Sequence, residues 1–146
     1  MRISIGSDHG GFLLKQQLVD ALHTEWEIFD EGTYSQESVD YPVYAQQVCD
    51  DVVSKKSDLG ILICTTGIGM CISANKVKEI RAALVTNVDG ATLARQHNDS
   101  NVLCLGAKYT PFEEAIKIAR AFVNAEFEGG RHERRVGLIQ KQEEKK

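Results

Sequence analysis

The sequence predicts a single α/β domain in three layers: a five-stranded parallel sheet with helices on both faces, followed by a C-terminal helix. Two observations carry the prediction, and a third bounds it. Apolar strand-like segments alternate with amphipathic stretches five times along the chain, the pattern of a parallel sheet joined by helical crossovers. The segment Leu59-Gly60-Ile61-Leu62-Ile63-Cys64 is almost continuously apolar, which suits a strand covered on both faces. The length of 146 residues fits one domain with its own core, and no repeat, low-complexity tract or linker divides it. The domain is therefore expected to span residues 1–146, with a frayed tail over 140–146.

Each element has its own signal. Ile3-Ser4-Ile5-Gly6-Ser7 reads as the first strand, and Phe12, Leu14, Leu18, Ala21 and Leu22 then recur at helical spacing. Trp26 to Asp30 reads as the second strand. The next helix begins at Tyr41 and places Tyr41, Ala45, Val48, Cys49 and Val52 on one stripe. After the apolar run ending at Cys64, a glycine-containing turn enters a helix that reaches Ala74. Arg81 to Val85 is the fourth strand, Asp89 to His97 a helix, and Asn101 to Leu105 the fifth strand. Thr110-Pro111-Phe112-Glu113 predicts a helix start with Thr110 as cap, Pro111 at the first helical position and Glu113 closing a capping box. Phe112, Ala115, Ile116, Ala119, Phe122 and Val123 form that helix's buried face. Gly129-Gly130 breaks the chain before a polar helix that starts at about Arg131.

Composition narrows the function class. Hydrophobic residues make up 42% and charged residues 26%, an ordinary globular balance. A formal net charge of −4 argues against a general nucleic-acid binder. No apolar run approaches the roughly 20 residues needed to cross a bilayer, and the first residues lack a signal-peptide pattern. A cytoplasmic protein with no membrane partner is expected. The four cysteines, Cys49, Cys64, Cys71 and Cys104, form no C-x-x-C pair and no zinc-ligand spacing with histidine. Free thiols, no disulfide and no structural metal are expected.

Ligands of open parallel sheets bind beyond the C-terminal strand ends, near the switch in strand order. There lies Cys64-Thr65-Thr66-Gly67-Ile68-Gly69-Met70-Cys71. Its glycines allow a tight turn into a helix whose first amides lack intrahelical acceptors and can hold an anion. Their partial positive charge favours a thiolate at Cys64, so the segment offers a base, the Thr66 hydroxyl and an oxyanion hole. The competing reading of Cys64 is an inert strand-end filler, and Cys71 reads as structural. Asp8 and His9 in Ser7-Asp8-His9-Gly10-Gly11 suit a sugar hydroxyl, or else a helix cap and a loop residue. His97, with Asn98 beside it, suits proton transfer to a ring oxygen, or else satisfies helix-end carbonyls. Arg131 and Arg135, four apart, share a helix face and suit a phosphate, or else form solvated surface.

Several motifs in order resemble the ribose-5-phosphate isomerase type B family, which includes galactose-6-phosphate isomerase subunits. They are D-H-G-G-F-x-L-K at Asp8 to Lys15, D-E-G-T at Asp30 to Thr33, D-Y-P-x-Y-A at Asp40 to Ala45, C-T-T-G-I-G from Cys64 and S-A-N-K from Ser73. R-Q-H-N-D-S-N from Arg95 and E-G-G-R-H-x-x-R-V from Glu128 complete the set. The resemblance covers the chain to about Ile139. It implies a Rossmann-like homodimer, with a tetramer as a further assembly, and active sites at the subunit interface.

The resemblance also implies the chemistry. Ribose 5-phosphate and ribulose 5-phosphate would interconvert through an enediolate, with Cys64 moving the proton between C1 and C2. Thr66 would help move protons between oxygens, and the amides of Gly67, Ile68, Gly69, Met70 and Cys71 would stabilise the enediolate. His97 would open the furanose ring, Asp8 and Asn98 would position it or the substrate, and Tyr41 would contact a sugar hydroxyl. His9, Arg131 and Arg135 would bind phosphate, some from the neighbouring subunit. One family branch places a glutamate base where this chain has Met70, which accepts no proton, so the base falls to Cys64. Lys108 stands where many members carry a phosphate-binding arginine and keeps the charge without the bidentate fork. No cofactor or metal is expected, since a thiolate and amide dipoles suffice and no ligand set for a hard cation is evident. Alternatives are a six-carbon sugar phosphate substrate (allose 6-phosphate or galactose 6-phosphate) and a non-catalytic sugar-phosphate-binding module.

Overall fold

Leu59–Cys64 forms the central strand, and every one of its residues is buried. The computed structural model describes residues 1–145. The strands are β1 (Arg2–Ser7), β2 (Glu27–Asp30), β3 (Leu59–Cys64), β4 (Ala82–Leu84) and β5 (Val102–Gly106). All pair in parallel, in the order β2-β1-β3-β5-β4. The helices are α1 (Phe12–Leu22), α2 (Tyr41–Val53), α3 (Ile68–Ala74), α4 (Val88–Asn98), α5 (Phe112–Asn124) and α6 (Arg131–Glu143). Predicted and observed limits of the strands and of helices α1 to α4 agree to within a residue. No helix among the described residues is long and apolar enough to cross a membrane.

The two-residue period of β3 divides the core. Ile61 and Ile63 pack with Leu14, Leu18 and Leu22 of α1, Ala91 and Ala94 of α4, and Ile118 and Phe122 of α5. Leu62 and Cys64 face the other way, into Val48, Cys49 and Val52 of α2 and Met70 and Ala74 of α3. Each buried leucine or isoleucine contributes about 1.5–3 kcal/mol, so covering both faces specifies the strand's depth in the sheet.

One charged contact sets the loop beside β1. Lys15 is fully buried, and its Nζ donates to both carboxylate oxygens of Asp30 at 2.8 and 2.9 Å. The pair joins α1 to the C-terminal end of β2, where Ser7 N–H donates to Gly32 O and Thr33 N–H to Ser7 O. That arrangement places the Asp30 to Thr33 loop beside the exit of β1.

Two local expectations are corrected. The capping box at Thr110 does not form: Pro111 is the N-cap, with no side-chain cap bond, and the helix starts at Phe112. Thr110 N–H donates to Gly106 O at 3.0 Å, which holds Thr110 in the turn leaving β5, one residue too early to cap. Residues 140–143, expected to fray, are helical. The Glu143 carboxylate accepts the Glu79 N–H at 3.1 Å through both oxygens, anchoring that end. Lys146, the tip of the expected frayed tail, lies outside the described residues.

Candidate active site

The strand order reverses direction between β1 and β3, since β2 lies outside β1 whereas β5 and β4 lie beyond β3. Asp8 and His9 leave β1 there and Cys64 ends β3. Gly67 adopts φ +78°, a left-handed conformation that costs a residue with Cβ about 1–2 kcal/mol. This turn brings the Gly67 N–H to the Cys64 sulfur at 3.2 Å and the Ile68 N–H to Thr66 Oγ1 at 3.3 Å. The N–H groups of Gly69 and Met70 have no acceptor among the described residues. Cys64 is 5% exposed in the single chain. A thiol, a hydroxyl and unpaired amides thus converge at one strand end, as the residue pattern predicts.

The surrounding side chains are placed by their own elements. Asp8 Oδ1 accepts the Gly11 N–H at 3.1 Å, so the capping role of Asp8 is present. His9 Nδ1 lies 3.1 Å from the Val39 N–H. A backbone N–H only donates, so Nδ1 is the acceptor and the Nε2 proton of His9 is left for an anion. Tyr41 is the first residue of α2, as its spacing predicts, and its ring lies against Gly69. A Cβ at Gly69 would sit 2.7 Å from two ring carbons, so this approach requires glycine. Lys108 N–H donates to Thr65 O at 2.9 Å, and Lys108 borders a shallow cavity of about 350 Å³ with Gly10, Thr65 and Phe112.

His97, Asn98, Arg131 and Arg135 are elsewhere. Helix α4 runs from the C-terminal end of β4 back to the N-terminal end of β5, so its last residues sit at the opposite edge of the sheet. Asn101, just beyond α4, accepts the Gly60 N–H at the start of β3. The six residues of β3 span roughly 17 Å at about 3.3 Å per step, more than an extended five-carbon sugar phosphate. At this lower edge the His97 and His132 rings stack, with centroids 4.2 Å apart and planes within 9°. Glu128 Oε1 lies 3.6 Å from His97 Nε2 and 3.8 Å from His132 Nε2. Arg131 and Arg135 are exposed on α6. Sequence reasoning missed Glu128 and His132 as neighbours of His97; only their four-residue spacing hinted at a common face.

The thiols differ in readiness. Burial pushes the Cys49 thiol up to about 12. Cys71, half-buried, is drawn down to about 7 chiefly by a hydrogen bond from Cys104, while Cys104 is pushed up by the same contact and by burial. His132, only 12% exposed, is held below the ordinary histidine value by burial, then by the charges of His97 and Arg131.

Residues 3–139 match the Ribose/Galactose Isomerase family. The chain belongs to that family. It is 46% identical over 139 residues to Ribose-5-phosphate isomerase B of Escherichia coli (strain K12), covering 94% of this chain and 93% of that protein. Among solved structures, Clostridium thermocellum Ribose-5-Phosphate Isomerase B superposes with a TM-score of 0.98 at 47% identity, over 99% of each chain. Ribose-5-phosphate Isomerase B from Mycoplasma genitalium, solved with bound ribulose-5-phosphate, superposes with a TM-score of 0.93 at 45% identity, over 99% of this chain and 97% of that one. Membership in the Ribose/Galactose Isomerase family makes this chain an isomerase, and it accounts for the motif order from Asp8 to Val136.

Proposed function

We propose that this isomerase interconverts ribose 5-phosphate and ribulose 5-phosphate, with Cys64 as the base. One observation carries the assignment of the base: the Cys64 sulfur sits beneath the Gly67 N–H at 3.2 Å, directly before the unpaired amides of Gly69 and Met70. The thiolate takes the proton from C2 of the aldose, and the electron pair forms the C1–C2 double bond of the enediolate. The free amides of Gly69 and Met70 hold the oxygen that gains charge, where fixed dipoles act best, whereas the Cys71 N–H, expected to join them, donates to Gly67 O at 3.0 Å. Thr66 moves a proton between the two oxygens, and the proton returns to C1. Asp8 and Tyr41 hold sugar hydroxyls, and His9 with Lys108 faces the anionic end.

The opposite placement of His97, Asn98, Arg131 and Arg135 supports a homodimer in which these residues reach the Cys64 end of the partner chain. A two-fold pairing of complementary ends gives two equivalent sites. His97 then opens the ring, Asn98 orients it and the arginines hold phosphate. Exposed apolar side chains at Ile68, Ile72, Leu84, Val88 and Leu93 form the surface available for that pairing, and dimers of dimers extend it. The whole chain acts as one domain in the cytoplasm.

The test is steady-state turnover on five- and six-carbon aldose phosphates in deuterated water, for the native chain and Cys64→Ala. Deuterium at C2 of recovered ribose 5-phosphate, together with a loss of about 100- to 10,000-fold in the variant, is expected. Native-like turnover of Cys64→Ala would remove the sulfur from the mechanism, and preference for a six-carbon substrate would replace the pentose.

A further inference from the structure

His97, Glu128 and His132 are separated in sequence and meet where the end of α4 touches the start of α6. Their ligand atoms all lie within 4.8 Å of one another. The separations of 3.6 and 3.8 Å from Glu128 Oε1 to the two Nε2 atoms are too long for hydrogen bonds. They approach the edge of a tetrahedron of metal ligands, about 3.4 Å for bonds of 2.0–2.2 Å. Two imidazoles and one carboxylate are a ligand set that zinc accepts with a fourth position left to water. Of the three side chains, His97 is 37% and Glu128 50% exposed, so an ion can enter, whereas His132 is 12% exposed and held by its surroundings.

We propose that His97, Glu128 and His132 form an inhibitory binding site for a borderline divalent metal ion such as zinc. The stacked rings hold their lone pairs in nearly parallel planes, so both rings turn out of the stack to point their Nε2 lone pairs at one ion, with Glu128 closing the third position. The neighbouring Arg131 and Arg135 oppose a second positive charge, which limits the site to an occupied-or-empty regulator and disfavours permanent retention. Metal on His97 removes the lone pair that ring opening uses. The inhibition therefore rests on the role proposed above for His97, whereas the binding does not.

The test has a binding arm and an activity arm on the intact protein. Cobalt(II) is titrated and followed by its visible d–d absorption, and zinc by calorimetry, with His132→Asn and Glu128→Gln as variants. One ion per chain and at least tenfold weaker binding in each variant are expected, with metal-free turnover in both within about threefold of native. Zinc should then inhibit the native enzyme and require at least tenfold more metal to inhibit the variants. Absent binding at 100-fold excess of metal, or binding unchanged in both variants, as thiol ligation would give, overturns the site. Binding that is lost in the variants without any inhibition of the native enzyme retains the site and overturns its inhibitory role, and with it the ring-opening role of His97.

Discussion

Mixing two inactive variants tests whether each active site takes residues from both chains. One variant, Cys64→Ala, disables the upper end; the other, His97→Asn combined with Arg131→Ala, disables the lower end. The two ends are separated by roughly 17 Å along β3 at about 3.3 Å per residue, so a site assembled within one chain cannot use both. In a mixed dimer, one site combines both defects and the other combines the intact upper end of one chain with the intact lower end of its partner. Random re-pairing of equal amounts yields about half mixed dimers, each with one working site of two, or about a quarter of native activity. Separately purified variants are mixed, dissociated in mild denaturant, refolded and assayed for ketose formation. Activity no higher than the sum of the two parents, with mixed dimers confirmed by mass, would refute the shared site.

Four further outcomes follow from individual contacts. Gly67→Ala combines a left-handed backbone penalty of about 1–2 kcal/mol with overpacking of about 1–3 kcal/mol, because its Cβ would lie 2.9 Å from Leu105 C and 3.0 Å from Gly106 N. Thermal unfolding should show Tm lower by roughly 5–20 °C, and an unchanged Tm would show that the turn relaxes freely. Asp30→Ala leaves the buried Lys15 ammonium without its carboxylate, a loss of about 3–5 kcal/mol that denaturant titration would measure; Lys15→Met in the same background should recover part of it. Asp51 is pushed above the ordinary carboxylate value by burial and then by Glu31, against the Ser4 hydroxyl bond at 2.7 Å. The native state therefore holds that proton longer than the unfolded chain, and stability is lost as pH rises through the raised value. Asp51→Asn should raise Tm at neutral pH, with the gain vanishing near about pH 4; a gain independent of pH would point to another cause. Cys71, drawn to about 7, should be alkylated by iodoacetamide well ahead of Cys49 and Cys104, with a rate rising through neutral pH, and peptide mass mapping would read the order.

Much of the fold was legible because it depends on short-range patterns. The apolar run at β3, the helical spacing after each strand and the glycines after Cys64 are local, and each marks its element to within a residue or so. Local rules failed at Thr110, where a turn bond to Gly106 outranked a sound capping signal, and over 140–143, where Glu79 anchors a helix end that composition alone assigns to fraying. The thiol and its amide donors were legible for the same reason: Cys64, Thr66 and Gly67 to Cys71 are neighbours in the chain as well as in space.

By itself, the sequence determined the layers, the parallel sheet and the gathering of a thiol, a hydroxyl and backbone amides at the tip of β3, since all of these follow from residue type and spacing along consecutive residues. Only the tertiary structure decided that His97 and the α6 arginines stand at the far edge from Cys64. It alone also decided that Glu128 and His132 join His97, that His9 carries its proton on Nε2, and that Lys15 is buried against Asp30. The physical reason is direction: a helix that crosses back from one strand to the next carries its last residues to the opposite edge, and which distant side chains meet there depends on the packing of whole elements.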